Sequence, residues 1–104
     1  MDIVLKWPMQ AAFNEIQMHC WYAKDQAPTQ ASFQISQDGQ NWQEIVAPTT
    51  LFWSKNDATI ETQTFSFDRV QNVKYLRMRI HDANLTWRHY AINELEVYDR
   101  QLSY

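Results

Sequence analysis

Gly39 is the only glycine among 104 residues, and it lies within Ser36-Gln37-Asp38-Gly39-Gln40-Asn41-Trp42. A tight reversal between two strands needs a residue at positive φ, which glycine adopts without steric cost and asparagine tolerates. The run before it, Ala31 to Ser36, and the run after it, Trp42 to Val46, both read as strands. A chain that places its sole glycine after an aspartate between two such runs is committed to a hairpin at that point.

The rest of the chain repeats the strand period. Ile3 to Trp7 is a short apolar strand closed by Pro8, which cannot donate to a ladder. From Phe13 to Trp21, Ile16, Met18 and Cys20 share one face while Glu15, Gln17, His19 and Trp21 share the other. Trp42 and Ile45 are three apart, so a regular strand cannot point both inward; a bulge is expected there, or Trp42 folded back over the turn. Glu61 to Phe67 alternates again. Lys74 to Ile80 points Leu76, Met78 and Ile80 inward, and Ala91 to Tyr98 points Leu95 and Val97 inward with Glu94 and Glu96 outward. No segment sustains a helical period. About seven short strands separated by turns predict an all-β, antiparallel sandwich or barrel.

Antiparallel succession assigns the connections to two ends. Pro8 to Ala12, Gln37 to Asn41 and Asp68 to Gln71 are short and fall at one end. Tyr22 to Gln30, Ala47 to Ile60 and His81 to His89 are long and fall at the other. Long loops on a rigid scaffold are where binding residues concentrate, so the functional end is expected opposite the hairpin.

Composition narrows the class. The length suits one domain, read as residues 1–104. A formal net charge of −3 argues against nucleic acid or an anionic membrane face as the main partner. The single Cys20 excludes an internal disulfide, and no apolar run is long enough to span a membrane. The first residues are too short and too acidic for a signal peptide, so an exported protein would carry its signal elsewhere in a longer parent. Catalytic signals are missing: Cys20 and His19 face opposite ways, and one glycine cannot build a phosphate-binding loop. His19, His81 and His89 do not form a metal site by spacing. Asn84-Leu85-Thr86 is a glycosylation sequon, a three-residue match that is common by chance.

Five segments in order carry a family resemblance: Ile3-Val4-Leu5-Lys6-Trp7-Pro8, Phe13-Asn14-Glu15-Ile16, the Ser-x-Asp-Gly-x-x-Trp hairpin, Lys74 to Ile80, and Ala91-Ile92-Asn93-Glu94-Leu95-Glu96-Val97-Tyr98. Together they resemble discoidin domains, also called coagulation factor five/eight type C domains, and in particular the family 32 carbohydrate-binding modules of bacterial glycosidases. The resemblance implies a galactose-binding-like β-sandwich of jelly-roll type. Relative to the family, the N-terminal portion with a first strand and a ligand loop is missing, and so is the disulfide that clamps the termini of many eukaryotic members.

Candidate site residues follow from the long loops and from the resemblance. Leu51-Phe52-Trp53 lies in the longest loop, with Lys55, Asn56 and Asp57 beside it. An aromatic face next to short polar groups suits the apolar face of a sugar ring and its hydroxyls, which marks Trp53 and Asn56. The competing reading is that these three apolar residues plug the sandwich end or pack on a neighbouring domain. Trp42 and Trp87 match family positions that look structural. Galactose-binding relatives use an Arg and an Asn from the loop matching Tyr22 to Gln30; this chain has Lys24, Asp25 and Gln26 there, so the resemblance does not imply galactose. Lys24, His81, Asn84 and Arg88 complete the polar candidates. The resemblance also implies a structural calcium, with Glu94 as a ligand beside several backbone carbonyls, although most of the family's other ligands fall in the missing N-terminal part. The plain reading of Glu94 and Glu96 is charge pairing with Arg77 and Arg79 across neighbouring strands, which contributes little.

The expectation is therefore a non-catalytic accessory module that binds a glycan and belongs to a larger exported bacterial protein, placed outside the cell, in the periplasm or at the cell surface. The alternative is a structural or protein-contact module with no sugar site. A phospholipid-binding role would need apolar spikes ringed by basic residues, and only Leu51 to Trp53 offers one. The edge left open by the missing strand invites self-association.

Overall fold

The computed structural model describes residues 2–83 and 94–100. Its elements run β1 (Asp2–Cys20), α1 (Ala23–Gln26), β2 (Pro28–Ser36), β3 (Gln43–Thr50), β4 (Glu61–Ala83) and β5 (Glu94–Tyr98). The strands form one antiparallel sheet in the order β3-β2-β4-β1-β5. The sheet doubles over on itself into a sandwich. One layer holds β3, β2, the Tyr75–Ala83 half of β4 and the Asp2–Lys6 part of β1; the other holds the Glu61–Ser66 part of β4, the Glu15–Cys20 part of β1, and β5.

Apolar side chains from both layers meet between them. Ile16, Met18, Cys20, Phe33, Ile35, Phe65, Leu76, Met78 and Ile80 are buried, as the alternation predicts. Phe13, Ala31 and Val73 are buried with them, Phe13 and Val73 out of phase with their strands because the register shifts there. Phe33 and Phe65 touch across the layers, with centroids 4.9 Å apart. Leu95 and Val97 pack on this core from the last strand.

Two expected turns are corners instead. Pro8 to Ala12 and Asp68 to Gln71 lie inside β1 and β4, which stay paired while the register shifts between Lys6 and Glu15. Bulges bend both strands from one layer into the other, and the missing N–H of Pro8 falls where the ladder is interrupted. Asn72, at φ 58°, takes up part of the bend, a conformation asparagine tolerates better than most residues. The corners sit beside the hairpin, since one surface depression there is lined by Ser36, Asp38, Gln43, Gln71 and Val73.

The hairpin is held as its sequence requires. Ser36 Oγ accepts from the Gly39 amide at 2.8 Å, and Asp38 Oδ1 accepts from the amides of Gln40 and Asn41, each at 2.8 Å. Those two amides, followed by the Asn41 and Ser36 side chains, hold the Asp38 carboxyl far below the usual carboxylate range. Gly39 has φ +79°, and a Cβ there would lie 3.2 Å from the Tyr75 ring.

The expected bulge near Ile45 is present: Phe33 faces Val46 but Gln34 already faces Glu44. Trp42 lies half-buried under the Arg77 guanidinium, 4.3 Å from its ring centroid. The pairing of Glu94 and Glu96 with Arg77 and Arg79 does not occur, because β5 lies beside β1 and not β4. Arg79 instead pairs with Asp2 at 2.9 Å, and Arg77 donates to Gln34.

Candidate functional site

Two of the three long connections, those after β1 and after β3, meet at the end opposite the hairpin, and the third lies mostly outside the described residues. The segment from Tyr22 to Gln30 is shorter as a loop than expected: it makes one helical turn at α1, and β2 begins at Pro28. Tyr22 opens that turn in the left-handed region, at φ 48°, a costly conformation for a bulky residue. Its N–H donates to Asp57 O at 2.8 Å, and the Lys24 N–H donates to Lys55 O at 3.0 Å, so the two loops are zipped backbone to backbone.

The longer loop, residues 51–60, is pegged on three sides. Leu51 is buried, and its N–H donates to Thr29 O at 2.8 Å. Trp53 donates its indole N–H to Pro28 O at 2.7 Å, with its ring half-buried against the core. Gln63 donates to Phe52 O, while the Glu61 carboxylate accepts from the amides of Ser54 and Lys55 and from the Ser54 hydroxyl. Burial alone would raise the Glu61 carboxyl, but these donors together bring it below its ordinary value. Neither Glu61 nor Gln63 is marked by the sequence pattern, which reads them as ordinary strand positions.

Loop docking exposes aromatics other than Trp53. Phe52 is 81% exposed, Trp21 43% and Tyr22 37%. Trp21 and Tyr22 meet edge to face with centroids 5.7 Å apart. Of the candidate polar residues, Lys24 and Asn56 are exposed on the two zipped loops. His81 stands near the end of β4, where Gln30 faces Asp82 and Pro28 faces Ala83, and its Nε2 lies 2.8 Å from the buried Ser32 Oγ. Continuation of β4 to Ala83 shortens the expected His81 to His89 loop. Asn84, Arg88, Trp87 and His89 lie outside the described residues. Two depressions of about 350 and 360 Å³ lie at the hairpin end, away from the exposed aromatic surface. A flat aromatic platform stacks on a sugar ring without needing one.

Glu94 stands apart, on β5 directly opposite His19 of β1. Its close neighbours are the His19 ring and Glu96, a nitrogen-and-oxygen donor set. The Tyr98 hydroxyl, with His19 beside it, holds the Glu96 carboxyl below its usual range against the cost of burial. Cys20 is buried, and burial, followed by the Glu61 charge, pushes its thiol up to about 12, so it stays protonated and inert. Among the described residues no helix is long and apolar enough to cross a membrane.

With this geometry in view, comparison with known proteins identifies the class. The F5/8 type C domain model matches residues 8–95, and the chain belongs to that family. No curated protein matches it. Among solved structures, CBM32-1 from a family 31 glycoside hydrolase of Clostridium perfringens superposes with a TM-score of 0.71 at 15% identity, covering 94% of this chain and 68% of that one. The C-terminal domain of a Bacteroides fragilis chitobiase gives 0.70 at 16%, covering 98% and 64%. The Clostridium perfringens module CpGH89CBM32-5, solved with GalNAc-β-1,3-galactose, gives 0.64 at 18%, covering 93% and 64%. These likenesses establish a β-sandwich fold shared with carbohydrate-binding modules. The chain spans only 20% of another match, a putative α-L-fucosidase of Bacteroides thetaiotaomicron.

Proposed function

We propose that this chain is a non-catalytic carbohydrate-binding module whose ligand face is built by the loops at residues 21–27 and 51–60. The observation that carries this reading is the exposed aromatic group Trp21, Tyr22 and Phe52 beside Lys24 and Asn56, on loops tied to one another and to the sandwich. Aromatic faces stack on the apolar side of a sugar ring, and short polar groups around them meet its hydroxyls. Pre-ordered loops keep the entropic cost of binding low. Trp53 contributes its half-buried ring as the floor and His81 a polar group beside it, while Asn84 and Arg88 enter the reading from the sequence alone. Family membership supports the same reading, as do the fold neighbours solved with GalNAc-β-1,3-galactose and with 4,5-unsaturated mannuronic acid.

The module acts as an accessory of a larger exported bacterial protein and holds that protein near its glycan. Tethering raises effective concentration, so a weak site suffices. The test is a glycan array followed by titration of the intact chain, Phe52→Ala and Trp53→Ala. Binding that falls at least tenfold in either variant supports the site; absence of any binding by the intact chain rejects it.

A second reading has its own observation: the Trp53 N–H is already engaged by Pro28, and Phe52, the most exposed apolar residue of the loop, has no polar group of its own. In that reading the same face packs on a neighbouring domain of the parent. Self-association along the outer edge of Asp2–Lys6, which no described strand covers, belongs to the same reading. A light-scattering mass above that of one chain, together with a silent glycan array, would favour it.

A further inference from the structure

Away from the loop face, on the outer surface of the second layer, β1 and β5 bring three metal-ligating groups together. His19 of β1 faces Glu94 of β5 directly, and Glu96, two residues further on, points to the same side. Donor atoms of His19, Glu94 and Glu96 all lie within 4.8 Å of one another. His19 Nε2 is screened from solvent and faces Glu96 Oε1 at 2.7 Å.

Each of two ligands is oriented from behind. His19 Nδ1 lies 2.7 Å from Thr62 Oγ1 on β4, so the hydroxyl can accept the Nδ1 proton and leave the Nε2 lone pair toward the carboxylates. The second oxygen of Glu96 accepts from the Tyr98 hydroxyl at 2.6 Å. Among the described residues no lysine or arginine pairs with Glu94 or Glu96. A single proton on Nε2 would bridge one carboxylate and leave the other unbalanced beside it. A divalent cation balances both.

We propose that His19, Glu94 and Glu96 bind a divalent transition metal of the zinc type, fastening β5 to β1. One imidazole nitrogen and two carboxylates suit zinc, with a water completing the fourth position, whereas calcium takes oxygen ligands in larger number. The cation at Glu94 is therefore of a different chemistry from the structural calcium that family resemblance implies, and the proposal does not depend on sugar binding.

Calorimetric titration of the metal-free intact chain at pH 7.5 with zinc, calcium or magnesium chloride tests it, with thermal melts alongside. One equivalent of zinc should bind and raise the melting temperature, while calcium and magnesium do neither. Cobalt should give visible absorption bands that His19→Asn abolishes. Glu94→Gln, at an exposed position that leaves folding intact, and Thr62→Val, which removes the support behind His19, should each weaken zinc roughly tenfold or more. No zinc binding, zinc binding that is unchanged in Glu94→Gln, or calcium binding in preference to zinc would each overturn the proposal.

Discussion

Phe33 and Phe65 stand on strands of one continuous sheet, yet their rings meet across the core at a tilt of 58°, with centroids 4.9 Å apart. Their contact joins the two layers that the bulged corners of β1 and β4 create. Phe33 is fully buried and Phe65 is 7% exposed. Truncating either leaves a cavity between layers that cannot collapse without moving a corner. Phe33→Ala should cost about 3–5 kcal/mol and Phe65→Ala somewhat less, read from urea unfolding midpoints at unchanged m-value.

Gly39 answers two constraints at once, its positive φ and the approach of the Tyr75 ring. Gly39→Ala should destabilise by more than about 1 kcal/mol. In a Tyr75→Ala background the steric part disappears and the backbone part stays, so the two substitutions should be non-additive in a double-mutant cycle.

Acid should loosen the hairpin. Asp38 ionises in the folded chain well below its ordinary 3.8, chiefly through the Asn41 and Gln40 amides. A lowered folded value means its contribution is complete above about pH 3.8 and is lost as pH falls from there toward the folded value. Asp38→Asn should be less stable than the parent at pH 7, with the difference shrinking below pH 3.8, as thermal melts across pH 2–7 will show.

Trp42 and Arg77 make a stacked pair on the outer face of the sheet. Arg77→Lys retains the charge but loses the planar stacking and the hydrogen bond to Gln34. A loss of about 0.5–2 kcal/mol is expected, with a change in tryptophan fluorescence.

Glu61 ties the 51–60 loop to the sheet through two backbone amides and one hydroxyl. Glu61→Gln should leave global stability nearly unchanged and speed amide exchange at Ser54 and Lys55 roughly tenfold. If the loop face binds sugar, the same variant should bind more weakly while folding normally.

By itself the sequence determined the period-two strands, the hairpin at Gly39, the inward residues from Ile16 to Val97, and the membership in a family of sandwich domains. Those features are local: a side chain's face on a strand and a glycine's φ are set within a few residues. The corners were not legible, because Pro8 and Asp68 look alike whether a strand turns back or bends on, and only pairing with the partner strand decides which. The bound loop was half legible. Leu51 to Trp53 stood out as apolar, but which ring faces water depended on Pro28, Glu61 and Gln63, all distant or unremarkable in the chain. Likewise His19 looked isolated among the three histidines, since its neighbours Glu94 and Glu96 are brought to it only by the register of β5 on β1. Tertiary pairing decided these points because hydrogen bonds between strands act across the whole chain, at separations that no local pattern records.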